Sequence, residues 1–219
     1  MYMEILTALK VSLKVSATST VFVVLTGSFV AYFFSLKNFK GKNILEGILT
    51  LPMILPPTVI GYYLILLLGK QGLLGKTLYE QFNISILFSW QAAAIASFIV
   101  SFPLMFKTIK SAIDNFDRNL LYMSYSLGHS EIKTFFRVLI PQIRKNVLAG
   151  AILSFTRALG EFGATLMVAG SIPGKTTTMS VLIYSYVSSG EYEKTHLIVL
   201  FFSIFCLSIV FISIKLIGK

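Results

Sequence analysis

The chain alternates long apolar runs with short polar ones, and the length of the runs decides the structural class. Five stretches, at about residues 11–36, 44–69, 84–107, 146–170 and 195–217, each reach the roughly 20 residues that cross a hydrocarbon core with some tilt. This pattern predicts an all-α, polytopic membrane protein with about five transmembrane helices, residues 1–219 forming one transmembrane domain. The first run is too long for a signal-peptide core and no A-x-A-like site follows it, so it reads as a retained helix.

The runs differ in texture. Leu51-Pro52 and Leu55-Pro56-Pro57 fall inside the second, and prolines remove backbone donors, so this run must bend or break. The break is either a packed kink or part of a pathway lining. The fourth run carries Ala149, Ser154, Ala158, Gly160, Gly163 and Ala164. Its Gly160/Ala164 spacing is the small-xxx-small signal for close helix approach, which predicts an inner, contact-rich helix. Gly170-Ser171-Ile172-Pro173-Gly174 ends it, and Met179 to Ser188 is too short to cross, which predicts an outer half-helix or re-entrant piece. No internal repeat is evident, and an odd number of spans argues against paired inverted repeats.

Composition agrees: 55% hydrophobic and 13% charged residues leave too much apolar surface for a water-soluble core. The net charge of +10 raises nucleic acid as a partner, but the positions of the charges account for it otherwise. Twelve Lys and Arg residues fall on one side of the predicted spans (Lys37, Lys40, Lys42, Lys107, Lys110, Arg118, Lys133, Arg137, Arg144, Lys145, Lys215, Lys219) and six on the other (Lys10, Lys14, Lys70, Lys76, Lys175, Lys194). The positive-inside bias then places the N-terminus outside and the C-terminus in the cytoplasm, and the charge needs no nucleic-acid partner to explain it.

The longest polar segment, residues 108–145, becomes a cytoplasmic loop. Asp117 to Leu127 is predicted as a helix, Gly128 breaks it, Ser130 caps a second helix with Glu131 in its first turn, and Pro141 ends that helix. On the second helix Ile132, Phe135, Phe136 and Leu139 follow the spacing of one apolar face, with His129, Lys133 and Arg137 opposite. Such a helix either rests on the inner leaflet or docks into a groove of a partner protein. Spacing does not separate the two.

The run Tyr122-Met123-Ser124-Tyr125-Ser126-Leu127-Gly128, with Pro141 thirteen residues after the glycine, resembles the EAA loop of importer permeases of the ATP-binding-cassette class. Tyr122-Met123-Ser124 stands where that family has Glu-Ala-Ala. The resemblance implies that Tyr122, Met123, Ser124, Gly128, Ser130, Glu131, Phe135, Phe136 and Pro141 belong to coupling helices seated in a cleft of an ATPase subunit. Phe155 to Thr165, Ser171 to Thr176, Ser89-Trp90, Ser101-Phe102-Pro103-Leu104 and Leu55 to Tyr62 resemble the molybdate permease branch. The Arg-Ala-Leu-Gly-Glu-Phe-Gly run is also similar to sulfate permeases. What this implies is the permease subunit of an ATP-driven oxyanion importer working by alternating access, with molybdate first and tungstate or sulfate as alternatives. It further implies a homodimer, two ATPase subunits, an extracytoplasmic oxyanion-binding protein and a place in the plasma (inner) membrane of a prokaryote. A secondary anion transporter or channel is the rival from another class.

Arg157 and Glu161 fall near the middle of a predicted span, where an unpaired charge is costly, and their spacing of four lets them face each other on one helix. They are either a packing pair or a pair exchanged between transport states, with Arg157 offering positive potential to an anion. Together with Pro56, Pro57 and Thr176 they are the candidates for a translocation path. Thr176, Thr177 and Thr178 either offer hydroxyls to an oxyanion or cap the following short helix. Gly170 to Thr176 fails as a phosphate-binding loop, having three residues rather than four between its glycines. His129 and His196 lie on opposite predicted sides, no H-E-x-x-H or G-x-S-x-G occurs, and the single cysteine, Cys206, sits within a span. The chain is therefore expected to hold no catalytic site and no cofactor.

Overall fold

The structure, a computed structural model, describes residues 2–217, so Lys219, which counts toward the charge bias, lies outside the described residues. Among these the regular elements are helical. Helix α1 (Tyr2–Leu36) has 35 residues, about 52 Å at 1.5 Å per residue, well beyond a hydrocarbon core of ~30 Å. It begins nine residues before the predicted run because Lys10 and Lys14 do not interrupt it. Both are exposed on the helix surface, and the Lys14 ammonium lies over the Trp90 ring.

The second apolar run is split into α2 (Lys42–Thr50), a 3-10 turn over Leu51–Met53 and α3 (Pro57–Leu68), with the two helical parts bent by 111°. Pro56 is extended, with φ −54° and ψ 136°, and Pro57 opens α3 at the position where its missing N–H is least harmful. After α4 (Gly75–Phe82) comes α5 (Trp90–Asp114), shifted towards the C-terminus relative to the predicted run. Ser89 sets its start, accepting the Ala92 N–H at 3.2 Å.

The polar segment folds as α6 (Arg118–Ser126), α7 (Glu131–Thr134), a π-helical turn over Phe135–Leu139 and α8 (Ile140–Gln142). Pro141 lies within α8 rather than ending the helix, and the backbone turns two residues later, at Ile143. The fourth run is also broken: α9 (Arg144–Leu159) and α10 (Gly163–Ala169) meet at 60°. A short α11 (Met179–Ser188) has the predicted bounds, and α12 (Tyr192–Ile217) closes the fold.

Among the described residues three helices, α1, α5 and α12, are long and apolar enough to cross a membrane, and the number rises to five if each bent pair counts as one span. Helix α5 is the axis of the bundle, packed against α1, α9 and α10, with α3 laid on α10. The apolar window of α5 is 67% buried and that of α12 only 11%. One end of the core gathers Val11, Val15, Ile60, Leu64, Ala96 and Val168; the other gathers Tyr32, Phe34, Phe106, Ile109, Phe135 and Leu139. A close helix crossing uses Gly61, where an added Cβ would stand 2.7 Å from Met167 Cβ and 3.1 Å from Ala164 Cα. Gly160, expected to pair with Ala164 on one stripe, is instead exposed at the break, and Gly61 of α3 fills that role from another helix.

Candidate functional site

Glu161 sits inside the break between α9 and α10, its side chain fully buried. Its Oε2 accepts from Arg157 Nη1 at 2.8 Å and its Oε1 accepts the Ala164 N–H at 2.9 Å. One carboxylate thus joins the last turn of α9 to the first turn of α10, where unpaired N–H groups favour negative charge. The two side chains meet as their spacing of four predicts, but across a bend rather than on one continuous helix. Arg157 keeps 35% of its side-chain surface exposed, so the charge pair opens to one side only.

The two broken runs meet. A Cβ added at Gly163 would lie 3.1 Å from Pro57 Cβ, which places the start of α10 directly against the start of α3. Pro57 is half-buried at this junction and Pro56 is exposed beside it. Phe88, with φ +59°, donates its N–H to Val168 O at 2.9 Å and lays its ring over Gly170. No pattern in the sequence marks that closure.

Thr176 is buried, but its hydroxyl is engaged locally, accepting the Ile172 N–H at 3.0 Å and donating to Gly170 O at 3.4 Å. It braces the 170–176 turn. Capping of α11 falls to Thr178, which accepts from Val181 N–H at 3.5 Å, and to Ser12 of α1, which accepts the Met179 N–H at 2.8 Å. Ser12 was invisible to sequence reasoning because its partner lies 167 residues away.

In the polar segment Gly128 takes φ +77°, and the N–H of His129 reaches back to Ser124 O at 3.2 Å, closing α6 as a glycine-terminated helix. Ser130 accepts the Lys133 N–H at 3.3 Å. Ser124 Oγ contacts Thr134 Oγ1 at 2.8 Å and His129 Nδ1 at 3.1 Å, tying α6 to α7 across the glycine. Tyr32 donates to the Glu131 carbonyl at 3.3 Å, and Lys37 Nζ reaches the Glu131 carboxylate at 2.8 Å. That hydrogen bond raises the Lys37 ammonium above its ordinary pKa.

The single apolar face predicted for Ile132, Phe135, Phe136 and Leu139 is divided. Phe135 and Leu139 are buried, Phe135 edge-on to Tyr32 at 4.8 Å, whereas Ile132 and Phe136 are exposed. The π-helical turn is the cause, since hydrogen bonds of i→i+5 type rotate side chains out of the 3.6-residue phase. The same widening accommodates Pro141, whose ring and missing N–H an ideal helix would not accept. Tyr122, Met123, Leu127, Ile132 and Phe136 are exposed apolar side chains of this segment, while Phe135 and Leu139 anchor it to the core.

Comparison with known proteins places these features in a family context. The model of the "Binding-protein-dependent transport system inner membrane component" family matches residues 23–218. The molybdenum transport system permease protein ModB of Haemophilus influenzae is 40% identical over 200 residues, covering 91% of this chain and 87% of that protein. ModB of Escherichia coli K12 is 37% identical, covering 83% and 80%. The sulfate transport system permease protein CysT of Salmonella typhimurium is 30% identical, covering 86% and 68%. Among solved structures, a bacterial ABC transporter that imports alginate superposes with a TM-score of 0.78 at 14% identity, covering 98% of this chain and 79% of its counterpart. The inward-facing methionine transporter MetNI gives 0.75 at 14% identity, covering 100% and 96%.

Proposed function

Because the chain belongs to the family of binding-protein-dependent transport system inner membrane components, we propose that it is the permease subunit of an ATP-driven importer whose cargo is molybdate. The observation that supports the cargo is the 40% identity to a molybdenum permease along 91% of the chain, against 34% and 30% for two sulfate permeases. Tungstate and sulfate are the neighbouring cargoes of the same chemistry.

Electrostatics support an anion path. The carboxylate nearest a span centre, Glu161, is neutralised by Arg157 and an amide N–H, so it does not repel a dianion. In this reading two copies of the chain enclose the path, with the Pro56–Pro57 and Glu161 breaks as the joints that change angle in alternating access. The loop of α6 to α8 faces the cytoplasm and the N-terminus lies outside. Tyr122, Met123 and Phe136, with Leu127 and Ile132, touch an ATPase subunit. Gly128, Ser124, Ser130 and Glu131 fix the relative angle of α6 and α7. Phe135 and the turn at Pro141 carry the displacement into α1 and α5. ATP hydrolysis belongs to two separate ATPase subunits, and an extracytoplasmic oxyanion-binding protein delivers the cargo.

Reconstitution of the chain with its cognate ATPase and binding protein tests this, by comparing ATP-dependent uptake of molybdate, tungstate and sulfate. Molybdate uptake that requires the ATPase is expected. No ATP-dependent flux of any of the three overturns the assignment, and uptake that persists without the ATPase indicates a secondary transporter or channel.

A further inference from the structure

At the end of the bundle remote from the α6–α8 loop, a cleft of about 480 Å³ opens between the first turns of α1 and the segments before α5 and α11. It is lined by Thr7, Lys10, Lys14, Trp90 and Lys175, among others, and none of its lining residues is acidic. Its volume falls within the roughly 300–1,000 Å³ of ligand pockets.

Lys10 and Lys14 are four apart, on one face of α1, where like charges repel. Lys175 adds a third ammonium from the facing loop. Among the described residues no carboxylate lies within ion-pair distance of any of the three. The nearest acidic groups of the adjoining cleft are otherwise engaged: Glu4 accepts from Tyr186 Oη at 2.6 Å, and Glu191 pairs with Lys194. The cleft hydroxyls are engaged too, Thr7 with Met3 O and Glu4 O, and Ser89 with Ile86 O. The unspent donors are therefore ammonium groups. Lys14 Nζ stands 3.7 Å from the centroid of the Trp90 ring, which holds that charge at the cleft rather than free in solvent.

We infer that this cleft binds a tetrahedral oxyanion of the phosphate or molybdate type, gripped by Lys10, Lys14 and Lys175. Three separate ammonium groups suit a compact tetrahedral anion, since each is a point donor rather than the planar fork that matches a carboxylate. The anion comes from one of two sources, a free oxyanion in the aqueous phase or the headgroup of an acidic phospholipid. The excess length of α1 places the cleft near the level of headgroups, where both are present. The inference does not rest on the transport assignment.

Trp90 is the only tryptophan of the chain, so its emission reports the site in the intact protein. The full chain in phosphatidylcholine nanodiscs is titrated with sodium molybdate against sodium chloride of equal ionic strength. A parallel preparation adds phosphatidylglycerol to the nanodisc lipid. A saturable emission change with molybdate identifies a free-anion site; a change only with phosphatidylglycerol identifies a headgroup site. Lys10→Gln and Lys175→Gln, neither of which touches the ring, each weaken the response about tenfold, the scale of one charge-assisted contact. The inference is overturned if neither probe changes the emission beyond chloride, or if the Lys10→Gln/Lys175→Gln double variant responds as the parent does. Both lysines are exposed, so the variants fold, and Trp90→Phe supplies the blank. Because no ATPase enters the assay, failure of the transport assignment leaves its outcome untouched.

Discussion

Removing the charge of Glu161 tests the clamp between α9 and α10. Glu161→Ala deletes a helix cap, worth ~1 kcal/mol, and strands a buried N–H at ~1–3 kcal/mol. Breaking a fully buried ion pair by deleting one partner costs ~3–5 kcal/mol, but Arg157 is 35% exposed and rehydrates in part. The expected sum is ~3 kcal/mol. Glu161→Gln retains an acceptor for Ala164 N–H and should cost about half of that. Arg157→Ala should cost at least as much as Glu161→Ala, because the carboxylate it abandons is fully buried and the guanidinium is not. Reversible unfolding in mixed micelles, run as a double-mutant cycle, should return a coupling of ~1–3 kcal/mol. A coupling under ~0.5 kcal/mol, or Arg157→Ala milder than Glu161→Gln, refutes the clamp. Uptake separates the remaining possibilities. If Glu161→Gln loses stability while uptake is unchanged, the pair holds the bend and does not switch.

Other perturbations probe other joints. Gly128→Val has open space for its side chain but must adopt φ +77°, a strain of ~1–2 kcal/mol; it should insert normally while ATP hydrolysis no longer tracks uptake, and normal coupling would rule out a role for the turn. Gly61→Ala forces α3 away from α10 and should destabilise by ~1–3 kcal/mol, read as a lower unfolding midpoint. Tyr122→Ala with Phe136→Ala should leave folding intact, both side chains being exposed, and should abolish co-purification with the ATPase. The Lys37–Glu131 link should persist through neutral pH. Because the lysine pKa is raised by its carboxylate partner, the link is complete below the ordinary lysine value and disappears as pH rises through the raised one. Amide exchange in α7 across an alkaline series checks this, and Lys37→Gln should remove the dependence.

Elements governed by local chemistry were legible in the chain. Pro52, Pro56 and Pro57 announced the bend between α2 and α3, Gly128 and Ser130 marked the turn between α6 and α7, and the bounds of α11 followed from its length. The second break was not legible, because Gly160 and Gly163 read equally well as packing residues within a straight helix. Only the tertiary contact of Gly163 with Pro57 and the Ala164 N–H bond to Glu161 decide otherwise. The π-helical turn was hidden for a related reason. Its residues keep a helical repeat in sequence, and the rotation arises from burying Phe135 against Tyr32 while Pro141 follows close behind. Of the candidate site, the Arg157–Glu161 pair was recognisable, its geometry was not, and Thr176 turned out to be occupied within its own turn. The lysines of α1 served in the sequence only as a topology signal, since their meeting with Trp90 and Lys175 depends on the packing of three separate segments.

The contrast between α5 and α12 bears on how the chain leaves the ribosome. Helix α12 is the most apolar of the three crossing helices and rests lightly on the others, so it can partition into lipid as an isolated segment. Helix α5 carries Gln91, Ser97, Ser101 and Pro103 and buries most of its surface, so hydrocarbon alone is a poor solvent for it. It gains its full environment only when α9 and α10 have been made. The central helix is thus enclosed by segments made after it, so its burial follows synthesis of the C-terminal half rather than its own.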